Sequence, residues 1–174
     1  MTTSPRDPAS GRAAGEKADA RFLLAHPAHL IAFGFGTGLA PKAPGTVGTL
    51  LGLPLFWLID AAAPDFANRI ALLAAAFLVG VWACARAGRA LGVADHGGIV
   101  WDEIVAFALV LVFTPPGWPW IAAAFALFRV FDILKPWPIR IADARLKNGF
   151  GVMFDDLLAA LYAIAALKGL QWLA

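Results

Sequence analysis

The chain has 174 residues, of which 60% are hydrophobic and only 15% charged, with a formal net charge of +2; ordinary soluble domains run at roughly 45–50% and about 25%. That balance leaves too little polar surface for a soluble protein and is read as a single integral membrane domain, while so small a net charge gives no reason to expect a nucleic-acid partner. The lone cysteine, Cys84, excludes a disulfide framework and a thiolate metal cluster.

Residues 1–21 are polar and small, broken by Pro5, Pro8, Gly11 and Gly15, and are expected to form an unstructured tail ahead of a helical membrane domain over 22–174. The stretch after His26 is interrupted by Gly34, Gly36 and Gly38 and has no clear cleavage site, so a signal peptide is not expected. Five apolar runs follow, at 46–63, 70–85, 104–113, 120–134 and 155–174. They are rich in Ala and Leu and long enough for helices, without the short alternation of barrel strands. The expected fold is therefore all-α, a bundle of about five main helices. A full span needs about 20 apolar residues, so the shorter runs must tilt or extend through polar ends that line a protein interior. Cys84 lies within the second run and reads as packing.

The 14 basic residues give the orientation. Twelve of them sit before the first run, between the second and third, or between the fourth and fifth; only Arg69 and Lys168 fall elsewhere. Alternate junctions of a helical bundle face one side, and a basic side is expected to be cytoplasmic. The motif-like stretches "GTGLAPKAPGTVGT", "WDE", "RVFDILKPWP" and "FDD" fall at those same junctions.

Five carboxylates stand beside apolar runs there: Asp102, Glu103, Asp132, Asp155 and Asp156. Oxygen donors of this kind suit Mg²⁺, which takes one or two carboxylates, waters and substrate phosphates. A plainer account exists for each pair: Asp155 with Asp156, and Asp102 with Glu103, can cap a helix and complement its dipole. Asp132 falls near a helix C-terminus, where the dipole disfavours an anion. Arg129, Asp132 and Lys135 share one helix face at three-residue spacing. They form either an ion-pair ladder or a metal ligand flanked by two phosphate-holding cations, Arg129 by bidentate contact and Lys135 as a point charge. Pro136 ends that helix. In "APKAPGTVGT", Gly45, Thr46 and Thr49 offer a phosphate-compatible turn, which a Pro-Gly turn with a threonine cap explains equally well. His26, His29 and His96 have no metal-ligand spacing, and no covalent aspartyl or seryl signature is present.

Four stretches together, "FGFGTGLAPKAPGTVGTL", "VWDEIVAF", "FRVFDILKPWPI" and "GVMFDDLLAALYA", resemble the phosphatidylglycerophosphatase A family from about Phe33 to the C-terminus. The resemblance implies an all-helical, Mg²⁺-dependent lipid phosphatase of the bacterial inner membrane, its active face cytoplasmic. Such an enzyme removes the terminal phosphate of phosphatidylglycerophosphate to leave phosphatidylglycerol. The matching acidic positions are Asp102, Glu103, Asp132, Asp155 and Asp156, the candidate catalytic and metal-binding set. The matching polar positions are Pro44, Gly45, Thr46, Thr49, Arg129 and Lys135. Ala106 and Ala160 stand where glycine is expected, which bears on helix packing more than on chemistry. The competing functional readings are a small membrane transporter and an anionic-lipid-binding protein without catalysis.

Overall fold

A computed structural model describes residues 18–173. Among them there is no strand. The elements in order are α1 (Ala20–Leu24), α2 (Pro27–Ala32), a 3-10 turn (Gly34–Leu39), α3 (Pro44–Leu50), α4 (Gly52–Ala62), α5 (Phe66–Leu91), α6 (Trp101–Val112), α7 (Trp118–Leu134), α8 (Ile139–Arg145) and α9 (Gly149–Leu173). The all-α bundle is as expected, with the five runs becoming α3–α4, α5, α6, α7 and α9. Most of the expected tail lies outside the described residues; at its end Asp19 caps α1 by accepting the Phe22 N–H at 2.8 Å.

Local chemistry moves two helix ends away from the apolar runs. Asp65 caps α5, accepting the Asn68 N–H at 2.9 Å. The helix then continues past Arg86 and Arg89, because alanine-rich sequence with two long straight side chains favours it. Gly92, at φ 69°, closes α5 in the left-handed conformation, with the Val93 N–H donating to the Gly88 carbonyl at 3.1 Å. At the other long helix, Asn148 accepts the Gly151 N–H at 2.9 Å, so α9 begins at Gly149. Asp155 and Asp156 therefore lie well inside α9 and do not cap it. Asp102 and Glu103 do occupy the first turn of α6.

Among the described residues three segments are long and apolar enough to cross a membrane: Pro44–Ala62, Phe66–Leu91 and Gly149–Leu173. α6 has 12 residues, about 18 Å at 1.5 Å per residue, well short of a hydrocarbon core of about 30 Å. It serves as the central post instead. One of its faces joins the core made with α1, α2 and α5, and the other joins the core made with α7 and α9. Gly52 lets α4 lie against this post, since a Cβ there would stand 2.9 Å from the Ile104 carbonyl oxygen. Ala106 and Ala160 are both buried in the second core. The outward faces are apolar, with Leu58, Leu78, Trp57, Trp118 and Trp172 exposed, as a bilayer-facing surface with interfacial tryptophans requires.

The Trp101 indole N–H donates to the Ala76 carbonyl at 3.0 Å. That bond sets the start of α6 level with the middle of α5, well away from its end. The loop 92–100 that leads into α6 is tied to α2, its Val100 N–H held by the Ala32 carbonyl at 2.9 Å.

Candidate active site

Arg129 is the hub of the first half of the site. Its Nη1 donates to Asp132 Oδ2 at 2.6 Å, to Glu103 Oε1 at 3.0 Å and to Thr49 Oγ1 at 3.3 Å. Thr49 in turn donates to the Gly45 carbonyl at 2.8 Å. Three separate elements (α3, α6 and α7) are thus tied by one guanidinium. The Glu103 carboxylate rests directly on Gly45, where any Cβ would collide with it. Thr46 is half-buried on the same turn of α3.

Lys135 builds the second half. It ends α7 in the left-handed conformation, at φ 43°, a region that a side-chain-bearing residue enters only when its surroundings hold it there. Pro136 prevents the helix from continuing. The turn carries Lys135 away from Asp132, and its Nζ reaches Asp155 Oδ2 at 2.5 Å and Asp143 Oδ1 at 3.1 Å. The ladder reading therefore holds for the Arg129–Asp132 rung and stops there. Burial alone would lower the Lys135 ammonium; its hydrogen bonds to Asp155 and Asp143 outweigh that and raise it, so it stays charged at neutral pH.

Asp102 and Asp156 add two carboxylates beside those that the cations hold. Both are buried, at 8% and 3% exposure, and Asp156 lies in electrostatic range of Asp102, Asp132, Glu103 and Asp155. All five carboxylates expected from the sequence are thus brought into one neighbourhood. Asp102 Oδ1, Glu103 Oε2, Asp155 Oδ1, Asp156 Oδ2 and Arg129 Nε are buried without a hydrogen-bond partner. Four buried carboxylates and the half-buried Glu103, set against two cations, are an excess of negative charge, and burying an unpaired carboxylate is expensive.

That donor set fits a divalent cation. Among the described residues no three His, Cys, Asp or Glu side chains close into a metal cage. Mg²⁺ does not need one, because it keeps several waters and binds through one or two carboxylates plus substrate phosphate.

Two charged groups escaped the sequence reading. Asp143 lies in the basic stretch "RIADARLK", where it reads as one anion among cations; only the fold of α8 brings it to Lys135. Asp95, on the loop before α6, lies in electrostatic range of Asp102 and Glu103. Its sole sequence signal was its closeness to "WDE". The histidines stay outside the site. His26 caps α2 by accepting the Ala28 N–H at 3.0 Å, and His29 stacks on Phe22 at 4.1 Å. His96 accepts the Gly98 N–H at 3.1 Å. Cys84 is fully buried, 4.0 Å from the Met153 sulfur, which confirms it as packing.

Fold and site together define an all-helical membrane protein with a buried acidic centre lined by one arginine and one lysine. The family model for Phosphatidylglycerophosphatase A matches residues 30–171. The chain is 48% identical to the Phosphatidylglycerophosphatase A of Haemophilus influenzae, over 87% of this chain and 93% of that one. It is 38% identical to the protein of the same name from Escherichia coli, over 86% and 87%. A Bacteroides thetaiotaomicron protein provisionally named a phosphatidylinositol-3-phosphatase is 37% identical over 82% and 92%. This chain belongs to the phosphatidylglycerophosphatase A family, and it is an enzyme of the phosphatase class. No solved structure matches it.

Proposed function

We propose that this protein hydrolyses the terminal phosphomonoester of phosphatidylglycerophosphate, yielding phosphatidylglycerol and inorganic phosphate in phospholipid biosynthesis. The proposed place is the bacterial inner membrane, with the site open to the cytoplasmic side and Mg²⁺ as cofactor. The observation that carries this reading is the cluster of buried, unpartnered carboxylate oxygens inside a family-matched membrane bundle. Such a cluster attracts a cation and, through it, a phosphate. An anionic-lipid-binding protein without catalysis would gain nothing from five carboxylates, which repel its ligand.

Asp102 and Asp156, through their free oxygens, would hold the metal, with Asp155 Oδ1 as a further free donor. Bound Mg²⁺ supplies Lewis-acid polarisation of the phosphoryl oxygens and a more acidic water. The remaining chemistry belongs to the chain. Lys135 has three N–H donors and uses two on Asp155 and Asp143, leaving one for a phosphoryl oxygen. Arg129 keeps its Nε–H free, a second donor for charge that spreads over the transferring group. Glu103 is fixed at Oε1 by Arg129 while Oε2 stays free, the arrangement of a positioned general base. As the water oxygen bonds to phosphorus and the P–O bond to the glycerol breaks, Glu103 Oε2 receives one proton of the water and the departing glycerol oxygen takes up a proton from solvent, leaving phosphatidylglycerol and hydrogen phosphate.

The test is phosphate release by purified protein in lipid nanodiscs offered phosphatidylglycerophosphate, with phosphatidylinositol 3-phosphate and phosphatidic acid as competitors. Turnover should be highest on phosphatidylglycerophosphate, vanish in EDTA and return with Mg²⁺. Full activity in EDTA would overturn the metal reading; preference for phosphatidylinositol 3-phosphate would overturn the substrate.

A further inference from the structure

An apolar cavity adjoins the same site, with Asp102 among its lining residues. It has a volume of about 320 Å³ and is lined by Leu73, Phe77, Val105, Leu109, Met153 and Leu157, with Asp102 as its one charged lining residue. The size lies at the lower end of the roughly 300–1,000 Å³ typical of ligand pockets. Its walls are helical stripes. On α6 they are Asp102, Val105, Ala106 and Leu109, and on α5 Ile70, Leu73, Ala74, Phe77 and Leu78. These spacings place each set on one helix face, extending about 10–12 Å along the bundle.

The two ends differ in chemistry. At one end is Asp102, buried and with Oδ1 unpartnered. Along the side, Ala74 and Leu78 of α5 are exposed, and α5 is long and apolar enough to span a membrane. The opening therefore faces hydrocarbon. A groove whose wall is apolar throughout and which abuts Asp102 of the metal-fitting cluster matches a ligand that is apolar along its length and phosphorylated at its head. Water has no partners along such walls.

We infer that this groove between α5, α6 and α9 seats one acyl chain of the phospholipid substrate, so that the chain aims the headgroup at Asp102. This rests on the lipid-phosphatase reading above and deepens it. Inside a bilayer the groove adds little affinity, because lipid tails are as apolar as the side chains that line it. What it supplies is alignment, the conversion of a lipid diffusing in the plane into a phosphate held at one position.

Ala74 is the position to test, since it is exposed and adding bulk there fills the opening without touching the core. Ala75, also exposed but not part of the lining, is the control. Diacyl substrates short enough to stay monomeric gain up to about fourfold in kcat/KM per seated methylene. The parent enzyme should therefore show kcat/KM rising with chain length and then levelling. Ala74→Phe should level several carbons earlier, at least tenfold lower, while Ala75→Phe follows the parent. Hydrolysis of glycerol phosphate, which has no chains, should be equal in all three. An identical chain-length curve in Ala74→Phe overturns the groove. A second measurement does not depend on turnover. Phosphatidic acid with a diazirine midway along one acyl chain, in phosphatidylcholine nanodiscs, should label residues 70–78, 102–109 and 153–157 above the rest, and Ala74→Phe should abolish that excess. Labelling spread evenly over the bilayer-facing helices, unchanged by Ala74→Phe, overturns the inference even if phosphate release is absent. No phosphate release with specific labelling would instead sink the phosphatase reading and leave the groove standing.

Discussion

Replacing Arg129 with methionine removes one cation from between two carboxylates while keeping much of the apolar stem. Glu103 and Asp132 accept from the same Nη1, and the three side chains are only 11–15% exposed. Deleting one partner of a buried pair costs about 3–5 kcal/mol, because the charge left behind has no compensation. Against total stabilities of about 5–15 kcal/mol this is a large fraction. At about 2–4 °C per kcal/mol for a chain of this size, the expected fall in melting temperature is roughly 6–20 °C. The assay is thermal unfolding in a fixed detergent, read by loss of the monodisperse size-exclusion peak. A triple variant, Arg129→Met with Glu103→Gln and Asp132→Asn, should recover most of the loss, since the stranded charges are gone. If Arg129→Met melts within about 2 °C of the parent, the guanidinium is not the tie between α3, α6 and α7, and the reasoning fails.

Asp132→Asn keeps the shape and leaves Arg129 paired with Glu103, so it should insert and purify normally. It should nonetheless lose at least about a hundredfold in phosphate release, roughly 2.7 kcal/mol of transition-state stabilisation; activity within a few-fold of the parent would show the Arg129–Asp132 pair to be structural only. Gly45→Ala should displace the Glu103 carboxylate and remove most of the turnover, whereas Gly97→Ala, with open space around it, should match the parent in the same assay. Cys84→Ala should leave turnover nearly unchanged, because the thiol is buried against the Met153 sulfur; a large loss would implicate it in chemistry. Reporter fusions after Arg145 should read cytoplasmic and those near Asn68 and Gly117 periplasmic, and a periplasmic signal after Arg145 would break the orientation.

The all-helical bundle, its apolar exterior and the identity of the acidic and basic groups are written into the amino-acid order. Hydropathy acts locally: each apolar run must bury or face lipid wherever it ends up, so runs 46–63, 70–85 and 120–134 mark helices without knowledge of their neighbours. Pro136 stops α7 for an equally local reason, its missing N–H. The short elements left no such mark. α1, α2, the 3-10 turn and α8 are too brief for periodicity and are held by contacts made elsewhere, such as His29 on Phe22 and Ile139 in the α6–α7–α9 core. Only tertiary packing decided which carboxylate meets which cation. Arg129, Asp132 and Lys135 read as one ladder in sequence, yet the left-handed turn at Lys135 sends its ammonium to Asp155 and Asp143. Asp155 and Asp156 became interior groups of α9 for a local reason, since the Asn148 cap starts that helix at Gly149. Tertiary packing also set Asp102 level with the middle of α5, because helix ends are fixed by capping groups such as Asn148, while depth in the bundle is fixed by the partner helix.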